Sequence, residues 1–113
     1  SAYRSSPYFE YFEDDFIKLY SEKEIFLSEF NIKCIHLITE LLDVKLNHLK
    51  NESYNEYHSG YIDLRDLSIA RKEKEYATPK YIQVFESKHG YLPNLSILDI
   101  LFSEGNNTTS LIN

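Results

Sequence analysis

The 113-residue chain is poor in the residues that usually announce a chemistry or a compartment. It has one cysteine, Cys34, and neither methionine nor tryptophan. A single cysteine excludes an internal disulfide and every zinc site built on paired cysteines. Cys34 falls on the apolar side of a predicted helix, where a free thiol packs as a small hydrophobe. Lysine and arginine number 12 against 18 aspartates and glutamates, a formal net charge of −6. The basic footprint of a nucleic-acid binder is therefore missing, and anionic membrane surfaces are disfavoured. No apolar run approaches the roughly 20 residues needed to cross a bilayer. No basic-apolar-small leader opens the chain. The expectation is a cytoplasmic protein with no membrane insertion. The missing initiator methionine suggests a processed end, a tag scar or an excised fragment.

Familiar catalytic signatures are missing too. There is no Gly-rich phosphate loop, no His-Glu-x-x-His helix and no Gly-x-Ser-x-Gly elbow. No cofactor and no metal is expected. His58, Asp63 and Asp66 form a metal cluster only on paper, because their spacing matches no ligand pattern. The acidic balance does not suit a donor with several phosphates, unless Lys80, Lys88, Arg65 and Arg71 gather in space.

What is present is an ordinary globular balance, 42% hydrophobic and 27% charged, in a length that fits one domain. Aromatics reach 15%, all tyrosine and phenylalanine, so the core should be bulky and polar-edged. A first helix is predicted over about 7–20. Ser6 is placed to cap it and Pro7 suits its first position. Phe9, Phe12, Phe16 and Leu19 share one face. Glu10, Glu13, Asp14 and Asp15 read as a solvated face that also complements the helix dipole. A second helix is predicted over about 24–43, with Leu27, Phe30, Cys34, Leu37, Ile38 and Leu41 as its stripe and Ile35 and Leu42 widening it. The short link between the two suggests an antiparallel pair. His36 lies beside the stripe and reads as a helix-surface or core-edge histidine rather than a ligand.

The middle is polar. Val44 to Leu49 alternates like a short strand, residues 51–60 read as a Tyr-rich loop, and Tyr61 to Asp66 offers a second short strand or a turn. The Arg71–Glu75 charge cluster reads as solvated surface.

The last third is the most punctuated stretch. A short helix is predicted over about 80–87 behind Pro79, with Gly90 as its left-handed terminator. Residues 91–93 should be extended, because the residue before a proline avoids the helical region. A last helix follows, capped by Asn94 or by Ser96, the latter with Asp99 completing a capping box. Leu95, Leu98, Leu101 and Phe102 should face inward, and Gly105 should end the helix. The tail from Asn106 has no clear pattern. The fold expected from the whole is mainly α, with three to four helices and at most a short β-hairpin in the middle.

The string Tyr81-x-Gln83-Val-Phe85, then Gly90-Tyr-x-Pro-Asn94-Leu-Ser-Ile-x-Asp99, then Leu101-Phe102-x-Glu104-Gly105, resembles the closing motif of the WbqC-like family. The opening stretch, residues 1–12, resembles that family's midpoint. Tyr91 stands where the family commonly has phenylalanine, and Ser103 where it often has asparagine. The resemblance implies that residues 1–113 form a single helical domain, the C-terminal half of a longer protein, whose partner is the N-terminal half of the same chain. It also implies a link to O-antigen and surface-polysaccharide biosynthesis in bacteria and archaea. The activity implied is that of a transferase, for glycine or for sugar modification, using a nucleotide sugar or acyl donor. Asp99 and Glu104 are then the candidate catalytic carboxylates, either one as base to a hydroxyl or amine, with Gln83 and Asn94 as candidate substrate-binding groups. The other reading of the same residues is capping and turn chemistry, in a non-catalytic helical module that packs against a catalytic N-terminal half.

Overall fold

The computed structural model describes residues 1–24, 26–56, 60–68 and 77–112. The chain divides into two compact units, residues 1–46 with 78–113, and residues 47–77. The first unit carries the helices α1 (Phe9–Ser21), α2 (Leu27–Leu41), α3 (Glu86–His89), α4 (Ile97–Glu104) and α5 (Thr108–Ile112). The mainly helical expectation holds.

The core of this unit is built around one ring. Phe102 on α4 is 4% exposed and meets Tyr3, Phe9 and Phe16, each at a centroid distance of 5.3 Å, and Phe12 at 6.4 Å. Phe9, Phe12 and Phe16 recur at three- and four-residue steps, so one face of α1 delivers all three rings to α4. Leu101 and Leu42 complete the buried set, with Ile38, Leu41, Ile97 and Leu98 packed against it. Burying each such side chain is worth about 1.5–3 kcal/mol, and tilted or edge-on ring pairs add about 0.5–1.5 kcal/mol.

This packing also resets the helix start. The expected Ser6 cap is not formed, because α1 begins at Phe9 with Tyr8 before it. The Tyr8 N–H donates to the Phe102 carbonyl at 2.9 Å, and the Ser6 hydroxyl is buried with no partner among the described residues. The aromatic seam, rather than a local cap, decides where α1 starts.

The second helix is shorter than expected and lies less deeply. Leu27 and Ile35 are exposed, and α2 contains no fully buried residue. Its end is well formed. Asp43 has a φ of 55°, its N–H donates to the Glu40 carbonyl and the Val44 N–H donates to that of Thr39. This is a Schellman closure with aspartate in the left-handed position usually held by glycine. The extreme C-terminus is tied to the same place: Thr109 Oγ1 donates to the Leu42 carbonyl at 2.8 Å, and fully buried Thr108 donates to that of Ile100.

The β-hairpin expected in the middle is not formed. Among the described residues there is no strand. Val44 is taken by the α2 closure, and the 61–66 segment turns on itself instead of pairing. Asp63 accepts the Arg65 N–H at 3.0 Å, and a 3-10 turn follows over Arg65–Ser68. The second unit is organised by Arg65. Its guanidinium grips the Asp63 carboxylate, donates to the carbonyls of Asn55 and Glu56 at 2.9 and 2.7 Å, and lies over the Tyr54 ring. The Arg71–Glu75 cluster and His58 lie outside the described residues.

Candidate functional site

The closing stretch departs from expectation at its start. Residues 77–83 are irregular and the short helix runs only over Glu86–His89. The cause is Gln83. Its Nε2 donates to the Leu92 carbonyl at 2.6 Å and its Oε1 accepts the Leu92 N–H at 2.9 Å. The side-chain amide therefore mimics a strand partner for one residue, and it holds the two arms of the segment side by side. The Gln83 N–H donates to the Glu86 carboxylate at 3.1 Å, which helps start α3. Gly90 ends that helix with a φ of 72°, as its position suggests. Asn94 also takes a positive φ, 58°, at the tip of the turn into α4.

Ser96 caps α4, accepting the Leu98 N–H at 3.3 Å. The box expected with Asp99 is only half built. Asp99 is 2% exposed, and its Oδ2 accepts the Tyr81 hydroxyl at 2.6 Å instead of turning back to the cap. An exposed first-turn aspartate can serve a cap, but a buried one must take the donor that shares its desolvated site. Leu95 likewise departs from expectation, standing 42% exposed.

Tyr81 and Tyr91 form an edge-on pair with centroids 6.3 Å apart. Each phenolic proton is already donated, Tyr81's to Asp99 and Tyr91's to the Pro79 carbonyl at 2.7 Å. Burial first, then the hydrogen bond to Asp99, pushes the Tyr81 phenol well above its ordinary pKa. Tyr3 is raised for related reasons, burial first and then the charge of Asp99. At neutral pH these phenols stay protonated, and the free faces of their oxygens act as acceptors.

The tyrosine pair lines two openings. One, of about 390 Å³, is lined by Lys80, Tyr81, Ile82, Glu86, Tyr91 and Glu104. The other, of about 200 Å³, has Asn94 on its wall along with Pro79, Leu95 and Ile97. The four candidate residues are thus not gathered into one site. Glu104 faces the larger cleft and Asn94 the smaller, while Gln83 and Asp99 are buried and position the walls. Sequence reasoning missed Tyr81 and Tyr91, whose signal was the density of tyrosine around the punctuated stretch. It also missed Lys80 as a cleft residue. Arg65 is committed to Asp63, and Arg71 lies outside the described residues. No group of three metal-ligating side chains occurs among the described residues.

No curated protein and no solved structure matches the chain. A family model does, over residues 1–80, a range that includes the opening 1–12 stretch and ends at Lys80, one residue before the closing motif begins. That range is well over half of the chain, and on it the chain belongs to the WbqC-like protein family.

Proposed function

We propose that this chain supplies one wall of a transferase cleft used in surface-polysaccharide biosynthesis, with glycine or a sugar as the group handled. The observation that carries the reading is the Lys80–Tyr81–Glu86–Tyr91–Glu104 cleft. It combines one cation, two carboxylates and two aromatic rings in a space suited to a small polar molecule. Lys80 pairs with the phosphate or carboxylate of an activated donor. Glu104 serves as the base: its carboxylate takes the proton from an acceptor hydroxyl or amine as that atom attacks the donor, and the donor's leaving group departs with the bonding pair. Asp99 acts through Tyr81, fixing the phenol so that its oxygen accepts from the substrate. Gln83 holds the Leu92 backbone and with it the Tyr91 wall, and Asn94 holds the donor from the smaller opening. The partner in this reading is the N-terminal half of the same protein, and no cofactor is required.

A non-catalytic packing module is the second reading, favoured by Ile17, Phe26 and Leu27, which stand 58–73% exposed on and beside α1 and α2. A thermal-shift titration with nucleotide sugars, glycine and acyl donors separates the two. A ligand held by the folded state alone raises stability by about 2.7 kcal/mol at a hundred times its Kd. The transferase reading predicts a shift that Lys80→Ala weakens. A full-length protein that shifts with one of these ligands equally in both forms would favour the packing module.

A further inference from the structure

A third cavity, besides the two lined by the tyrosine pair, also borders Glu104. It has a volume of about 200 Å³ and is lined by Tyr8, Tyr11, Phe12, Glu104, Asn106 and Asn107. Its contents differ from those of the donor cleft. Among the described residues its lining has no cation, a single carboxylate, two side-chain amides and two exposed tyrosine rings, Tyr8 at 39% and Tyr11 at 72% exposure. Tyr11 is set edge-on against buried Phe12, with centroids 4.9 Å apart. Tyr8 is held by Gly105, where a Cβ would come within 2.7 Å of the ring. The glycine, itself at a φ of 56°, lets the ring lie against the backbone, so the aromatic side of the cavity is fixed in place.

We infer that this cavity binds the ring of a neutral saccharide. A pyranose has an apolar C–H face and a rim of hydroxyls that both donate and accept. Flat tyrosine rings suit the face. The amides of Asn106 and Asn107 each offer two donors and an acceptor to neighbouring hydroxyls, and the Glu104 carboxylate accepts from another. A charged ligand fits poorly: an anion would meet Glu104 with no cation beside it, and a cation would find only one carboxylate. The cavity binds acceptor sugar, and Glu104 stands at the border of this cavity and the donor cleft. The role of Glu104 as base rests on the proposed transferase reading, whereas sugar binding does not.

The test is a titration of ¹⁵N-labelled protein with N-acetylglucosamine, galactose, mannose and cellobiose, followed through backbone and side-chain amide signals. At least one sugar should move the Asn106 and Asn107 side-chain signals. Tyr11→Ala, a change at an exposed ring, and Asn107→Ala should each weaken that sugar at least about tenfold, with the remaining spectrum unchanged. Tyr91→Phe, in the donor cleft, should leave sugar affinity unaltered. The inference is overturned if none of the four sugars moves those signals at about 50 mM, a concentration that would reveal millimolar binding. It is also overturned if Tyr11→Ala binds as well as the wild type. Neither result depends on transfer activity, so the cavity can fail while the donor cleft stands.

Discussion

At the scale of single residues, Asp99 shows how burial selects a partner. Its sequence position suggests a cap, but the desolvated carboxylate takes the hydroxyl of Tyr81, 18 residues away. Tyr81→Phe removes that donor and leaves the buried carboxylate short of a hydrogen bond. A loss of about 1–3 kcal/mol in urea unfolding is expected. The pH dependence follows from the direction of the tyrosine shifts. Tyr81 and Tyr3 both titrate higher in the folded state than in the unfolded chain. Their contribution is fully present below the unfolded value of about 10 and is lost as pH rises through the folded values. Stability followed above about pH 10 should fall less steeply in Tyr81→Phe than in the wild type. Gly105 carries a separate demand. Gly105→Ala meets both a left-handed φ and the Tyr8 ring, and it should cost roughly 2–4 kcal/mol in the same assay.

Helices were legible in the sequence where their pattern was periodic, and their ends were legible where the chemistry was local. The Phe9, Phe12 and Phe16 spacing located α1, and Gly90 and Gly105 marked two helix ends at positive φ. Misreadings arose where a side chain reached outside its own element. The amide of Gln83 pairs with Leu92 and prevents the helix expected around it. Tyr8 bonds Phe102 and displaces the Ser6 cap. Alternation at Val44–Leu49 suggested a strand, but a strand needs a partner, and the segment around Asp63 is spent on Arg65. The Schellman closure of α2 was invisible because aspartate rarely occupies that position. Asp43→Gly should relieve its left-handed strain and stabilise the protein by about 0.5–1 kcal/mol, read as a raised urea midpoint. In the second unit Arg65→Ala should release the Asn55 and Glu56 carbonyls. Faster amide exchange over 54–56 and 60–65 with unchanged protection in α1 and α4 is expected.

On the scale of the whole molecule, the fold class was readable because hydrophobic period and composition both favour helices. The site was less readable. Tertiary packing decided that Glu104 and Lys80 line a cleft while Gln83 and Asp99 are buried behind its wall. Motif residues drawn from one short stretch therefore divide into groups that line the openings and groups that are buried behind their walls. Glu104 lines both the Lys80 cleft and the Tyr8–Tyr11 cavity, so the proposed chemistry turns on it. The decisive measurement is the transfer rate of the full-length protein carrying Glu104→Gln, compared with the wild type at saturating donor and acceptor. Loss of the base with the fold intact predicts a drop in kcat of roughly a hundred- to ten-thousandfold, with the melting temperature essentially unchanged. A variant that transfers at the wild-type rate would contradict the account.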